Sequence, residues 1–447
     1  MSFDPDTIES FRYEGFEIDA SSAMLTCHYA FDGRHFGERV SFDSGGDWSQ
    51  PAAVGAARLV YLLAGVSYYK AAAPPIIDFG DEALTPNERA LLRAFYVDGL
   101  GEYAYRNDLD LSKVELRARA SAPQPVRAAT DDDRPLVPFG GGLDSIVTTE
   151  LVRAHHHDTA LFVVSRANDR FGAIEDAART TGLPVLRAGR ALDPKILNSK
   201  ALGFRNGHVP VTGIISAIAV TAAVLDGRGA VVMSNEWSAS QGNVAVDGRV
   251  VNHQYSKSHA FEAAFRAALA DNFAAGPDYF SLLRPLSELR IAQLFAELPR
   301  YHRVFRSCNR AFHIDRAQRL DHWCGVCDKC CFVDLILAPF LTASELDAIF
   351  DGREPLQNPA LTQQFRTLIG RTPDFKPFEC VGDVDECRAA VILAADRPDR
   401  KTTAMLHELA RELAPQRERI TAHIPQLLRP IGAHFTPRDY ASAALLG

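Results

Sequence analysis

The chain has 447 residues, of which 47% are hydrophobic and 23% are charged, and its formal net charge is −8. This length predicts two to four domains at roughly 150 residues each, and the composition is typical of a globular protein rather than a disordered one. The negative charge argues against a nucleic-acid partner, because a phosphate backbone requires basic surface. The N-terminus lacks an apolar signal region, and the longest uncharged stretch, residues 209–225, is short for a membrane span and contains polar residues. We therefore expect a cytoplasmic protein with no membrane partner.

The first 120 residues predict an α+β accessory domain. Alternating polarity at residues 11–18, 24–31 and 39–42 predicts a meander of strands. Residues 52–70 predict a buried helix. Thr85-Pro86-Asn87-Glu88 combines an N-cap, a first-turn proline and a capping glutamate, which predict a second helix from Pro86 to about Tyr103. No cluster of reactive side chains is evident in this region.

Residues 121–134 predict a linker, because they contain prolines, small residues and an acidic triplet. In residues 135–340, predicted strands alternate with predicted helices. The strands are expected near 136–139, 159–165, 184–186 and 230–234, and the helices at about 144–156, 171–181 and 210–226. This series predicts an α/β fold with a parallel sheet, whose ligands bind beyond the carboxyl ends of the strands.

The motif that carries the most chemical information is P-F-G-G-G-L-D-S, residues 138–145. Gly140, Gly141 and Gly142 follow a short apolar strand, and Asp144 and Ser145 begin an amphipathic helix. Glycines let the backbone approach a phosphate, and free N–H groups and the helix dipole favour its charge. Asp144 would repel a phosphate by itself, so it is expected to act through Mg²⁺. A Walker P-loop and a Rossmann fingerprint are both excluded by the spacing.

A polar segment, V-N-H-Q-Y-S-K-S-H at residues 251–259, groups His253, Tyr255 and Lys257. A substrate-binding segment and a plain surface loop both fit this pattern. His208 and Cys331 are further candidates for proton transfer, and Arg205 and Arg249 are candidates for binding phosphates.

Four cysteines predict a metal site: Cys308, Cys324, Cys327 and Cys330, in the pattern C-x15-C-x2-C-x2-C. Two residues between cysteines let both sulfurs reach one ion, and Gly325 permits the required turn. Four thiolates suit a structural Zn²⁺, with an iron–sulfur cluster as the alternative. The crowding of five of the eight cysteines between residues 308 and 331 also indicates a reducing compartment rather than a disulfide framework.

Residues 341–447 predict a helical C-terminal region, with helices after Thr342 and at about 358–370, 383–395 and 401–414. Residues 376–387, K-P-F-E-C-V-G-D-V-D-E-C, predict a polar loop that folds back over the central domain.

The G-G-G-L-D-S motif resembles the S-G-G-x-D-S loop of the ATP pyrophosphatase (PP-loop) superfamily, with Gly140 in place of the usual serine. The cysteine cluster follows the loop in the order seen in QueC-like members, and residues 208–219 are similar to their V-P-x-R-N helix, although Thr212 and Gly213 replace Arg-Asn. The resemblance implies a HUP-like parallel-sheet core that cleaves ATP to AMP and pyrophosphate and adenylates a substrate oxygen.

Taken whole, the chain resembles the family of ATP-dependent epimerases that act on UDP-N-acetylmuramoyl-L-alanyl-L-glutamate in peptidoglycan synthesis. The similar stretches include F-R-Y-E-G-F-E-I-D, S-N-E-W-S, Q-Y-S-K-S and W-C-G-V-C-D-K-C-C. This resemblance implies ATP and the UDP-N-acetylmuramoyl dipeptide as ligands and conversion of the terminal L-Glu to D-Glu through an acyl-adenylate. It also implies that the glycine loop, Asp144 and Ser145 hold pyrophosphate and Mg²⁺, and that the backbone at Val164 and Ser165 receives adenine.

Two alternatives stay open at this point. A QueC-like base- or tRNA-modifying enzyme shares the loop and the cysteines, although the acidic charge and the extra segments count against it. A zinc-stabilised nucleotide sensor, prompted by Gly140, would bind ATP without forming AMP.

Overall fold

The computed structural model describes residues 3–43, 45–246, 249–313, 315–372, 379 and 381–445, with the backbone alone at 245–246, 249 and 442–445. Its strands are β1 (Ser10–Asp19), β2 (Met24–Phe31), β3 (Arg34–Phe42), β4 (Ile76–Leu84), β5 (Glu115–Ala120), β6 (Val126–Arg127), β7 (Asp131–Pro138), β8 (Ala160–Ser165), β9 (Val185–Ala191), β10 (Arg228–Met233), β11 (Val244–Val246), β12 (Arg249–Val251), β13 (Phe273–Ala275) and β14 (Asp278–Ser281).

The helices pack on both faces of the main sheet and form most of the C-terminal region. They are α1 (Pro51–Ala64), α2 (Val66–Tyr69), α3 (Pro86–Val97), α4 (Gly101–Arg106), α5 (Leu143–Arg153), α6 (Gly172–Thr181), α7 (Pro194–Leu197), α8 (Val211–Leu225), α9 (His259–Asn272), α10 (Glu288–Ala296), α11 (Asp328–Leu337), α12 (Ala343–Ile349), α13 (Thr362–Leu368), α14 (Val384–Ala395), α15 (Ala404–Leu413), α16 (Arg417–Leu427) and α17 (Arg438–Leu445).

One ten-stranded sheet organises the fold, in the order β14-β10-β7-β8-β9-β3-β2-β1-β4-β5. Six of its nine junctions are parallel and three are antiparallel. The antiparallel junction between β3 and β9, at which Val40 pairs with Arg190, joins the N-terminal strands to the β-α series. The α/β class and the mostly parallel sheet are therefore confirmed.

Alternate residues of the central strands enter two different cores, as expected for a sheet that is covered on both faces. Leu136 and Val231 belong to a core that also contains the N-terminal strands and helices α1 and α8. Their neighbours Val137 and Val232 face a second core, which contains α5, α10, α11 and the C-terminal helices. The same sheet thus holds the N-terminal and C-terminal regions in place.

The β-α series lies within a few residues of its predicted positions, but several bounds were wrong. Strand β7 begins at Asp131, because pairing with β10 reaches back to Arg228, so residues 121–134 contain a short strand and the start of β7. The strand β4 and the helices α16 and α17 had no prediction, and the predicted helix 86–103 is two helices. Of the loop predicted at 376–387, residues 376–378 and 380 lie outside the described residues, whereas residues 384–387 form the first turn of α14. The division into domains stays a prediction.

In the described part of the chain, one helical stretch, Pro51–Tyr69, is apolar and long enough to cross a membrane, and 83% of its most apolar window is buried within the protein. Its burial against α8 and the N-terminal strands matches the buried helix that was predicted from the sequence.

Candidate active site

The glycine loop has the geometry of an anion cradle. Helix α5 begins after Gly142, which makes no side-chain cap, so the loop precedes an N-terminus of unsatisfied amides. Gly141 has φ +74°, and a Cβ there would lie 2.5 Å from the Ala173 carbonyl oxygen. A Cβ at Gly140 would meet no atom within 4 Å of the described chain. The loop therefore requires glycine at position 141, while position 140 faces open space.

A cavity of about 470 Å³ lies beyond the carboxyl ends of β7, β8 and β10. The predicted residues Gly140, Gly142, Asp144 and Ser145 line it, whereas Gly141 packs against α6. The Ser145 hydroxyl donates to the Gly142 carbonyl at 3.0 Å, so it also braces the loop. The structure thus brings most of the predicted phosphate-binding residues into one cavity.

Three carboxylates form a cluster beside this cavity: Asp144 from the start of α5 and Glu236 after β10 line the cavity, and Glu288 from the start of α10 lies next to them. One oxygen from each carboxylate lies within 4.8 Å of the other two, and Glu236 and Glu288 are buried. Burial, together with the charges of Asp144 and Glu236, raises the pKa of Glu288 well above its ordinary value. Within the described chain, Glu288 Oε2 has no hydrogen-bond partner. Such mutual repulsion favours a divalent cation, and a set of oxygen ligands suits Mg²⁺.

Basic side chains balance these carboxylates. Lys257, Arg306 and Lys329 line the same cavity, and Lys329 opposes the rise in the pKa of Glu288. A cavity with both a carboxylate cluster and several cations can bind a metal ion together with a polyphosphate, because each charge then has a partner.

The backbone of the cavity wall is held by Arg284, which is almost fully buried. Its guanidinium pairs with Glu262 at 3.0 Å. It also donates to the backbone carbonyls of Glu236 and Lys257. The two segments that bring Glu236 and Lys257 to the cavity are therefore fixed by one side chain.

The candidates of segment 251–259 have different environments. Lys257 reaches the cavity and donates to Gln254 Oε1 at 3.3 Å. Tyr255 is buried in the first core, and this burial raises the pKa of its hydroxyl. Burial likewise raises the pKa of the Cys331 thiol. These shifts favour neutral, structural roles for Tyr255 and Cys331.

His253 forms a cluster with Glu102 and His208, in which one ring nitrogen of each histidine and one carboxylate oxygen lie within 4.8 Å of one another. Nδ1 of His253 is hydrogen-bonded to the Glu102 carboxylate, whose other oxygen accepts from Arg106 at 2.6 Å. The rings of His208 and His253 lie with their centroids 4.2 Å apart. Burial and, to a smaller extent, the nearby charge of His253 together lower the pKa of His208 to about 4.

The four predicted cysteines come together. Their sulfurs all lie within 4.8 Å of one another, with Cys324 and Cys327 at 3.6 Å and 3.4 Å from Cys330. A tetrahedral Zn²⁺ with bonds of roughly 2.3 Å requires sulfur–sulfur edges of roughly 3.8 Å, so the thiols fit this ion. Gly325 has φ +70°, as the predicted turn requires.

The cysteine cluster also supports the cavity. Lys329 lies between Cys327 and Cys330, and Arg306, Ser307 and Asn309 flank Cys308; all four of these neighbours line the cavity. The Arg306 amide donates to the Gly141 carbonyl at 3.2 Å. Metal-held sulfurs would therefore fix two segments of the cavity wall.

A neighbouring pocket of about 390 Å³ shares Val164 and Ile215 with the cavity and includes Ser165. The predicted adenine-binding residues thus lie where the two spaces meet. Arg205, in contrast, pairs with Asp6 at 2.5 Å and donates to the Ala72 carbonyl, which is a structural role. The side chain of Arg249 lies outside the described residues.

The sequence interpretation missed Glu102, Glu236 and Glu288. Glu236 lies in the stretch S-N-E-W-S, directly after a predicted strand. Its position at the carboxyl end of that strand could have indicated a site residue. Glu102 and Glu288 carried no local signal, because each reaches its partners through long-range packing.

Fold and site together define an α/β protein with a glycine-lined, acidic cavity beside a four-cysteine cluster. The family model of the MurL N-terminal domain matches residues 2–282, and that of the MurL C-terminal domain matches residues 304–423. The chain belongs to the MurL family. No solved structure matches it.

Three relatives are named UDP-N-acetyl-alpha-D-muramoyl-L-alanyl-L-glutamate epimerase. The protein of Xanthomonas oryzae pv. oryzae is 39% identical, over 98% of this chain and 97% of its own length. That of Salinispora tropica is 39% identical, over 98% and 95%. That of Micromonospora sp. is 38% identical, over 98% of both chains.

Proposed function

We propose that this protein is an isomerase of peptidoglycan precursor synthesis, which converts the terminal L-Glu of UDP-N-acetylmuramoyl-L-alanyl-L-glutamate to D-Glu and consumes ATP to AMP and diphosphate. The substrate class follows the names of the relatives. The observation that carries the coupling to ATP is that one cavity is lined by the glycine loop, Asp144 and Glu236, with Glu288 beside these two carboxylates. A cytoplasmic location and a HUP-like PP-loop core are parts of this proposal.

Activation by ATP suits the chemistry of the reaction. An α-proton beside a carboxylate is hard to remove, because the new carbanion adjoins an existing negative charge. Adenylation of that carboxylate removes its charge and makes the carbonyl a better electron sink, so the proton becomes more acidic. A base can then take the proton from one face and an acid can return one to the other face. Hydrolysis of the acyl-adenylate releases AMP and the D-product.

Different residues in and around the cavity have different roles in this reaction. Glycine-loop amides and Ser145 hold the leaving diphosphate, and Lys257, Arg306 and Lys329 balance its charge. Asp144, Glu236 and Glu288 would hold Mg²⁺, which neutralises phosphate charge when bound. Cys308, Cys324, Cys327 and Cys330 would hold a structural Zn²⁺ that orders the wall bearing Lys329.

The direct test incubates the protein with ATP, Mg²⁺ and UDP-N-acetylmuramoyl-L-alanyl-L-glutamate and measures AMP release and the chirality of glutamate. We expect both AMP and D-Glu. Asp144→Asn should lower both rates at least about 100-fold, because the metal site loses a ligand at the phosphates. Asp132→Asn, in the exposed acidic triplet, is the matched control and should match the parent protein.

Two results would contradict the proposal. ATP bound without AMP formation would indicate a nucleotide sensor. AMP formed with 7-carboxy-7-deazaguanine or tRNA, and not with the dipeptide, would indicate a base-modifying enzyme, which none of the three relatives' names supports.

A further inference from the structure

The C-terminal region contributes a carboxylate to the cavity. Glu379 lines the cavity, although it lies outside the carboxylate cluster of Asp144 and is 70 residues beyond Asn309 in sequence. The side-chain amide of Asn309 donates to Oε1 of Glu379 at 3.0 Å. In the described part of the chain, Glu379 has no other hydrogen bond. One oxygen of this carboxylate is therefore held by Asn309, and the other is held by no described residue.

Few of the described residues that line the cavity can remove a proton from carbon. They include no histidine, cysteine or tyrosine. Of the three carboxylates among them, Asp144 and Glu236 belong to the cluster assigned to Mg²⁺, whose charge would oppose proton uptake there. Glu379 is the third, and carboxylates serve enzymes as bases toward protons beside a carbonyl group. Glu379 is therefore the lining residue that best fits the role of the base.

The segment that holds Glu379 also reaches the glycine loop. Oγ of Ser307 lies 2.7 Å from the position that a Cβ at Gly142 would take. Asn309 is only two residues further along, so its Cα is at most about 7 Å from that of Ser307. In an acyl-adenylate, only the anhydride oxygen and the carbonyl carbon separate the phosphorus from the α-carbon. Glu379 is thus held close to the place where the activated carbon would lie.

Glu379 and Lys257 reach the cavity from opposite faces of the main sheet. Lys257 closely follows Tyr255, which packs in the first core. Asn309, the partner of Glu379, directly follows Cys308, which packs in the second core. The sheet separates these two cores, and the cavity lies at its edge. A ligand in the cavity would therefore meet a carboxylate from one side and an ammonium from the other, as inversion of a carbon by two proton carriers requires.

We propose that Glu379 is the catalytic base that takes the α-proton of the activated glutamate, with Asn309 as its positioning residue and Lys257 as the acid on the opposite face. This inference rests on the proposed epimerase function and deepens it. The glycine loop lies in the part matched by the MurL N-terminal domain, and Glu379 lies in the part matched by the C-terminal domain. Adenylation and proton removal would thus come from different parts of the chain.

The reaction at the α-carbon consists of two proton transfers. The Cα–H bond of the adenylated glutamate breaks, its electron pair moves to the acyl carbonyl oxygen, and the proton goes to the carboxylate of Glu379. The electron pair then returns to Cα and forms a bond to a proton that the ammonium of Lys257 supplies on the opposite face. Glu379 releases its proton to water, and Lys257 takes one from water. The net change is the inversion of the α-carbon.

The test separates proton transfer from ATP use. The full-length protein is incubated in D₂O with ATP, Mg²⁺ and UDP-N-acetylmuramoyl-L-alanyl-L-glutamate. AMP is measured by chromatography, and deuterium at the glutamate α-carbon is measured by mass spectrometry. Glu379→Gln should lower deuterium incorporation at least about 100-fold while AMP release stays within about threefold, because the adenylate still forms and is hydrolysed.

Two further variants and a control complete the comparison. Glu379→Asp keeps a carboxylate and should retain more incorporation than Glu379→Gln. Asn309→Ala should lower incorporation about tenfold with the same AMP release, because the base loses the donor that orients it. The matched control is Glu418→Gln, which changes an exposed carboxylate on α16 in the same C-terminal region and should behave as the parent protein does.

Circular dichroism checks that each variant is folded, and two results would then overturn the assignment. Normal incorporation in Glu379→Gln and Asn309→Ala would exclude Glu379 as the base. An equal loss of AMP release and incorporation would make Glu379 a residue of the adenylation step. If Glu379→Gln does not fold, Asn309→Ala decides by the same comparison. A parent protein that forms no AMP or no D-Glu would instead refute the proposed function itself.

Discussion

Arg284 and Glu262 form an ion pair whose two side chains are 2% and 1% exposed. The pair lies behind the cavity rather than in it, yet the same guanidinium donates to the carbonyls of two residues that line the cavity. A buried charge that holds two backbone segments links stability to the geometry of the site.

We expect Arg284→Met to lower the free energy of unfolding by about 3–5 kcal/mol, because it leaves the Glu262 carboxylate buried without its cation. Urea denaturation followed by circular dichroism measures this change. Arg117→Met, which breaks the exposed pair of Arg117 and Glu115, should leave the free energy of unfolding nearly unchanged, because solvent screens that pair. Equal losses in the two variants would contradict the structural role of Arg284.

The glycine loop allows a sharp comparison of two adjacent positions. Gly141→Ala should weaken ATP binding and lower stability by about 1–3 kcal/mol, because φ is positive there and the new Cβ meets the Ala173 carbonyl. Gly140→Ser adds a hydroxyl where no described atom obstructs it, so it should retain ATP binding. Isothermal titration with ATP and Mg²⁺ reports both effects. Tight binding by Gly141→Ala would show that the loop does not hold the phosphates.

The cysteine cluster predicts a link between metal content and nucleotide binding. Cys330→Ser should lose about one Zn²⁺ per chain and weaken ATP binding at least about tenfold, because Lys329 and the segment at 306–309 lose their anchor. Cys331→Ala, at the adjacent buried cysteine outside the cluster, should retain the metal. Elemental analysis and titration provide the two measurements. Iron in place of zinc would assign the cluster to iron–sulfur chemistry.

His208 predicts a dependence of stability on pH. Its folded-state pKa is about 4, below the unfolded value of roughly 6.5, so the unfolded chain binds the additional proton between these values. The contribution to stability is therefore complete above pH 6.5 and is lost as pH falls through 4, with a magnitude on the order of 2–3 kcal/mol. His208→Asn should flatten the curve of unfolding free energy against pH in this window, whereas His35→Asn, at an exposed surface ring, should leave its slope intact.

Local patterns predicted the parts of the site that lie together in sequence. Gly140 to Ser145 needed only a strand, a glycine run and a helix, and the cysteines needed only their spacing. Glu236 and Glu288 join Asp144 from separate strand and helix ends, and Glu102 joins His253 where α4 packs beside β12. No sequence periodicity predicts these long-range side-chain contacts, because they depend on the order of the strands in the sheet.

The same distinction between local patterns and long-range contacts decides which parts of the fold could be predicted from the sequence. The β-α alternation gave the parallel strands β7 to β10, since each hydrophobic run was bounded by turn residues. The antiparallel pairing of β3 with β9 had no local signal, because Val40 and Arg190 meet through tertiary packing alone. Strand β4 was not predicted, because Asp78, Gly80 and Asp81 interrupt its sequence of apolar residues.

The pairing of β3 with β9 has a consequence for engineering. This pairing places the N-terminal strands and the β-α series in one hydrogen-bonded sheet. The N-terminal region therefore cannot be exchanged between relatives as an independent unit. In a chimera joined near residue 125, the side chains of β3 and β9 must still pack and pair with each other. Otherwise α4, and Glu102 with it, would be displaced. Recombination points within the C-terminal helices avoid that constraint.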